Sequence, residues 1–249
     1  MEFVKGKINY NKRVLIYGVE GVGKSTLSSL FPNPLIIDTE DRTRHLNINR
    51  VIVKDFKEIV NLLLTFDKIM TDMKMNVNTI VIDTLDWLQK LAMDYVCKTR
   101  RGDSIEDFGY GKGYVYVFEE MRRIVNILDA LNKKYTIVCV CHCQLKKYED
   151  PFGTTYDRYT LKLLSGEKTS VADIFKEWSD YILFMNYKVN KNKDIVKDER
   201  YIFTERTSRF DAKKSDNIPD EIPFVLNSKE ITNLITTLSN NANNRQANI

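Results

Sequence analysis

The sequence has no apolar run approaching the ~20 residues that span a bilayer, which argues against a membrane-spanning helix. Its first residues, MEFVKGKINYNKR, are too polar and charged for a secretory signal. A cytoplasmic location with no membrane partner is therefore expected. Strong charge imbalance is absent too, since 38 Lys and Arg against 34 Asp and Glu leave a net charge of only +4. Any contact with nucleic acid must then come from local patches rather than from the molecule as a whole. A cysteine metal site is disfavoured. Three of the four cysteines, Cys139, Cys141 and Cys143, alternate along the strand-like run TIVCVCHC. That spacing puts neighbouring thiols about 6.7 Å apart on one face, too far apart for thiolates that must each lie about 2.3 Å from one zinc ion. They read as small core residues in a reducing compartment. The sequence also lacks internal repeats and any linker-like segment.

Apolar runs do alternate with helical patterns. RVLIYG (13–18), LIID (35–38), TIVID (79–83) and TIVCVC (136–141) read as strands, and segments 24–30, 55–70, 86–99 and 114–133 as helices. Strands separated by helices imply an α/β fold, a mostly parallel central sheet flanked by helices. Segments 181–189 and 200–207 read as two further strands joined by the turn KNKDIVKDE, an antiparallel C-terminal extension. One domain over 1–225 is expected, with a helix packed on it within 226–240 and a disordered polar tail over 241–249.

GVEGVGKS, Gly18 to Ser25, fits G-x-x-x-x-G-K-[ST] and lies between a strand and a helix. Gly18, Val19, Glu20, Gly21, Val22 and Gly23 would curl so that backbone N–H groups face phosphate oxygens. Lys24 would then reach the β- and γ-phosphates, Ser25 would ligate Mg²⁺ and Thr26 would meet the α-phosphate. ATP with Mg²⁺ is the expected ligand. Asp83, ending a second apolar strand, would hold a Mg²⁺-bound water, and Asp86 has an alternative use as the N-cap of the next helix. In LIIDTED (35–41) a strand runs straight into acids. Buried carboxylates are costly unless paired or functional. Glu40 would have the reach to act as general base on the attacking water. The other reading is a solvated loop in which these acids pair with Arg42 and Arg44.

Phosphate loop, strand ending D-T-E, strand ending V-I-D-T and strand ending in a polar residue, in that order, resemble the RecA family core. GKSTLSSLFPNPLIIDTED, DFGYGKGY, VCHCQ and FDAKKS together look like phage-encoded, RecA-like ATP-binding recombination proteins of the single-strand-annealing group. The resemblance covers roughly residues 10–225. It implies a RecA-like P-loop ATPase, with Glu40 matching the catalytic glutamate and Asp83 the Mg²⁺-site aspartate. It also implies a γ-phosphate sensor at His142 and a cation acting across a subunit interface at Lys213. The family's second interface cation is an arginine where this chain has Ser215, and Arg209 is the nearest substitute. Assembly as a homo-oligomeric ring or filament is implied, and so is work beside a single-stranded-DNA-binding protein.

The DNA-contacting loops of that family correspond to 100–114 and 144–162. Both interleave cations with aromatics: Arg100, Arg101, Tyr110 and Lys112 in one, Lys146, Lys147, Tyr148 and Tyr156 in the other. Stacking rings beside phosphate-binding cations suit single-stranded DNA, although Glu106, Asp107, Glu149 and Asp150 dilute the charge. The function implied is DNA-stimulated ATP hydrolysis that supports strand annealing or exchange. Competing readings are a nucleotide or small-molecule kinase, with Arg42 and Arg44 clamping an acceptor phosphate, and a nucleotide-switched scaffold with little turnover.

Overall fold

Arg13–Gly18 (β1) is apolar on both faces, as a strand must be when helices cover the sheet on either side. Leu15 and Tyr17 enter one core while Val14 and Ile16 enter the other. The computed structural model describes residues 5–6, 10–149, 153–192 and 195–239. After β1 come Lys24–Ser28 (α1), Pro34–Asp38 (β2), Asn49–Ile52 (β3), Phe56–Leu64 (α2), Phe66–Asp72 (α3) and Thr79–Asp83 (β4). Leu85–Arg100 (α4), Lys112–Asn132 (α5), Thr136–Glu149 (β5), Thr155–Leu161 (β6) and Val171–Trp178 (α6) follow. The described chain closes with Tyr181–Asn192 (β7), Ile195–Phe203 (β8), Glu221–Pro223 (β9) and Lys229–Ser239 (α7).

The sheet order is β3-β2-β4-β5-β1-β7-β8-β9, with β6 paired to β5 outside that path. Pairs from β3 through β7 are parallel, whereas β7–β8, β8–β9 and β5–β6 are antiparallel. This is the expected α/β class, a mostly parallel central sheet flanked by helices, with antiparallel strands at its C-terminal side. Helices α2, α4, α5 and α6 cover one face and α1 and α7 the other. Cys139 and Cys141 lie in the first core with Cys143 at its margin, and all three thiols are free. Among the described residues, no helix is long and apolar enough to cross a membrane.

Several elements differ from the sequence reading. Residues 55–70 form two helices, because Thr65 (φ −108°, ψ 15°) breaks the first, whose N-terminus Asp55 caps at the Lys57 N–H, 2.7 Å. The region 144–162 is not a loop. β5 continues to Glu149 and turns back as β6, so the segment is a β-hairpin. Nor is 100–114 one long loop. Arg100 ends α4, a short 3₁₀ turn covers Ile105–Phe108, and Lys112 opens α5. The turn expected over 191–199 is mostly strand, since β7 runs to Asn192 and β8 starts at Ile195. Strand β3 and helix α6 were not anticipated at all. Helix α7 buries Ile231, Leu234, Ile235 and Leu238 against the second core. The tail 241–249 lies outside the described residues.

Candidate active site

The phosphate loop leaves β1 at Gly18 and reaches α1 at Lys24. Gly23 sits at φ 103°, where a side chain is strained, and an added Cβ would come within 2.6 Å of the Phe224 ring and 3.3 Å of the Arg200 guanidinium. Val22 is fully buried in the second core and pins the loop from beneath. Because α1 has only five residues, an anion held here would rest on loop N–H groups and Lys24 more than on a helix dipole. Lys24 is 6% exposed, and its ammonium donates to the Gly18 and Val19 carbonyls at 3.0 and 2.8 Å. Burial lowers its pKa, against the opposing pull of nearby groups that include Asp83.

Across the cleft, β2, β4 and β5 lie side by side, and their C-terminal ends bring the acids together. Asp38 and Asp83 are register partners. Asp38, fully buried, accepts from the backbone N–H groups of Glu40, Asp41, Arg42 and Thr43 at 2.7–3.4 Å and from the Thr43 hydroxyl at 2.6 Å. Its carboxylate is thus consumed in shaping the loop that carries Glu40. Thr39 locks the same loop to β4, its hydroxyl donating to the Thr84 carbonyl (3.0 Å) and accepting from the Thr84 N–H (2.8 Å).

Glu40 points inward with a side chain only 6% exposed. It accepts from the Thr84 hydroxyl at 2.7 Å, and the His142 Nδ1 and Arg42 Nε lie 3.6 Å from its two oxygens. His142 follows the last buried residue of β5. Its Nδ1 sits 3.0 and 3.2 Å from the Asp86 oxygens, and its backbone N–H donates to Asp86 at 3.1 Å. Since a carboxylate only accepts, Nδ1 carries the proton and Nε2 is left free of that pair. Burial pushes the Asp86 carboxyl up, but the His142 donors outweigh it and hold it below its ordinary value. Asp86 is therefore not the N-cap of α4, a position held by Thr84.

These residues line a cleft of about 340 Å³ that includes Glu20, Gly21, Gly23, Lys24, Ser25, Thr26, Glu40, Asp83 and His142. Asp38, Arg42, Thr43, His45, Thr84 and Arg200 complete the wall. Asp83 is 4% exposed, hydrogen-bonded to the Ser25 side chain, and its Oδ2 has no hydrogen-bond partner. An orphaned buried carboxylate oxygen beside a serine hydroxyl fits a hard divalent cation such as Mg²⁺, which takes oxygen ligands. Without one, burial pushes the Asp83 carboxyl up to about 6, with Asp38 and Glu40 adding to the shift.

A folded-state pKa above the unfolded value costs stability as pH rises through that interval. At pH 7.5 without Mg²⁺ or nucleotide, the charged Asp83 therefore destabilises the fold. Asp83→Asn should raise the melting temperature there, by on the order of 2 kcal/mol or about 4–8 °C. The advantage should shrink as pH falls from about 6 toward about 4, and Mg²⁺ with ATP should stabilise the parent chain but not the variant. A lower melting temperature for Asp83→Asn at pH 7.5 would contradict the assignment.

Lys213 and Arg209 do not reach this cleft. Both are exposed; Lys213 donates to the Ser179 carbonyl at 2.6 Å, and the Arg209 carbonyl accepts from the Tyr159 N–H at 2.8 Å. In the first cation–aromatic region, Arg100 stacks on Tyr116 at 3.5 Å, Tyr110 is fully exposed and Arg101 and Lys112 face solvent. In the hairpin, Tyr148 and Tyr156 are cross-strand partners with ring centroids 5.4 Å apart. Lys147 is exposed, and the Lys146 ammonium meets the Ser165 hydroxyl. Sequence reasoning missed Arg200 and the lining role of His45, which carry no local motif. It also missed the loop-shaping role of Asp38.

The chain is 24% identical over 225 residues to the SPbeta prophage-derived uncharacterized protein YorG of Bacillus subtilis (strain 168). That match takes in 85% of this chain and 62% of the relative, so the chain spans less than two thirds of the curated relative's length. Among solved structures it is similar to the KaiC-like protein PH0186 of the hyperthermophilic archaeon Pyrococcus horikoshii OT3, at 15% identity and a TM-score of 0.47, covering 87% of this chain and 86% of that one. Residues 10–215 match the family described as the AAA domain, which takes in the phosphate loop, both acidic strand ends and His142, and the chain belongs to that family.

Proposed function

We propose that the protein is a phage-encoded, RecA-like recombination ATPase that hydrolyses ATP with Mg²⁺ and binds single-stranded DNA to promote annealing or strand exchange. The observation that carries the reading is one cleft holding Lys24 and Ser25 on one side and Asp83, Glu40 and His142 on the other. Backbone N–H groups of residues 20–26 and Lys24 would bind the phosphates, and Ser25 directly and Asp83 through water would hold Mg²⁺, which would supply charge neutralisation there. Glu40, steadied by Thr84, takes a proton from the attacking water. His142, fixed by Asp86, faces the same cleft as the sensor. The prophage origin of the similar Bacillus protein favours a phage source, and such a protein would work in the host cytoplasm.

DNA contact is read from the β5–β6 hairpin. Strand β5 runs from His142 straight into Leu145, Lys146, Lys147 and Tyr148, so a change at His142 has a rigid path to the hairpin. Tyr148, 46% exposed, presents a ring for base stacking beside Lys146 and Lys147. Arg101, Tyr110 and Lys112 offer a second exposed cation–aromatic group. Arg100 adds less, because its guanidinium is already stacked on Tyr116. A single-stranded-DNA-binding protein is the proposed partner. In a ring or filament, the exposed Lys213 and Arg209 are the cations available to a neighbouring copy's nucleotide. In the kinase reading, Arg44 would have to leave its exposed ion pair with Asp41 to clamp an acceptor phosphate.

Replacing Lys146 and Lys147 together by Ala should weaken single-stranded DNA binding about tenfold or more and flatten its log–log salt dependence by about 1.4. Tyr148→Ala should cost a further ~1–3 kcal/mol. Fluorescence anisotropy on a labelled oligonucleotide reads both. Unchanged affinity in both variants would remove the hairpin from the DNA site.

A further inference from the structure

Arg200 is an arginine without an anion. It lines the phosphate-loop cleft from β8, and among the described residues its guanidinium makes no ion pair and no side-chain hydrogen bond. Its surroundings nonetheless fix it. The guanidinium lies over the Phe224 ring at 5.1 Å, and the Arg200 carbonyl accepts from the Phe224 N–H at 2.8 Å. Gly23 lies so close that an added Cβ would stand 3.3 Å from one guanidinium nitrogen. Tyr187, its partner across the β7–β8 ladder, donates from its hydroxyl to the Gly21 carbonyl at 3.3 Å. The hairpin thus touches the phosphate loop at two points, and a planar donor fork is held ready at one of them.

Strand order says which part of the nucleotide it meets. Glu40, just beyond β2, and Asp83, ending β4, lie on one side of β1, so a terminal phosphate and attacking water served by them would lie toward that side. Arg200 comes from β8, on the opposite side of β1. A nucleotide held by this loop with its terminal phosphate toward the acids would turn its α/β end toward Arg200.

We propose that Arg200 binds the diphosphate portion shared by ADP and ATP, acting in cis as a second cation beside Lys24. This rests on the nucleotide-binding reading above and adds a ligand from outside the phosphate-loop motif. It gives the β7–β8 hairpin a direct contact with the bound nucleotide, distinct from the β5 path through His142.

The test is titration of fluorescent ADP and ATP analogues with Mg²⁺ into the parent chain and into Arg200→Met, Arg200→Lys and Lys24→Ala, with thermal melts to verify folding. Arg200→Met keeps the stem over Phe224 and removes the charge. It should lose about tenfold or more in affinity, by the same factor for both nucleotides, and Arg200→Lys should recover part of the loss. Arg200→Gln replaces the Met variant if that one fails to fold. Parent-like ADP affinity in the neutral variant, with Lys24→Ala still defective, would overturn the Arg200 assignment and leave the phosphate-loop reading standing. A loss confined to ATP would overturn it as well, because that would put Arg200 at the terminal phosphate. A parent chain that binds neither nucleotide would overturn both.

Discussion

Glu40→Gln is expected to bind ATP with Mg²⁺ as the parent chain does and to hydrolyse it at least about 10²-fold more slowly. The amide oxygen can still accept from the Thr84 hydroxyl, and the loop is held by Asp38 and Thr39 rather than by Glu40. The substitution should therefore leave the loop in place and remove only the group proposed to take the proton. Among the described residues, the other carboxylates at these strand ends already have uses. Asp38 is surrounded by loop N–H groups, Asp86 is engaged with His142, and Asp83 is assigned to the cation. Single-turnover hydrolysis alongside nucleotide binding separates the two effects. Turnover equal to the parent would return Glu40 to a structural partner of Thr84 and Arg42.

Lys24→Ala should abolish measurable nucleotide binding, a fall in affinity of about 10²-fold or more, equivalent to about 3 kcal/mol. Its ammonium, shared between the Gly18 and Val19 carbonyls, is a buried cation inside the phosphate-loop motif, where bound phosphates would meet it. Removing it also leaves those two carbonyls without this donor, which costs about 1–2 kcal/mol of stability. A melting curve must accompany the binding measurement, so that lost binding is not confused with lost fold. Unchanged ATP affinity in a folded Lys24→Ala chain would remove the site assignment.

The central sheet was legible because its strands are buried on both faces and read as short apolar runs between helical patterns. β1 and β4 have the expected bounds, and β2 begins one residue early. The phosphate loop was legible because its glycines, lysine and serine are fixed by spacing within one short segment. What escaped depends on distant partners. Strand β3, NRVI with exposed ends, is recognisable only by its pairing with β2. The outer half of β5 looks like a polar loop until β6 folds back on it. Arg200 gained its place only when β8 and Phe224 came to lie against Gly23. In LIIDTED the cluster's importance was visible from its cost of burial and Glu40's reach from its place beyond the strand, but the loop-shaping role of Asp38 came from its hydrogen bonds to the backbone that follows.

The most direct test of the account is the rate of ATP hydrolysis with and without single-stranded DNA, at two salt concentrations, in the parent chain and in the Lys146→Ala/Lys147→Ala double variant. The account predicts several-fold stimulation in the parent chain, weaker at the higher salt and largely lost in the variant while its DNA-free rate persists. A rate that single-stranded DNA leaves unchanged at both salts would contradict the coupling of this phosphate-loop site to a DNA client.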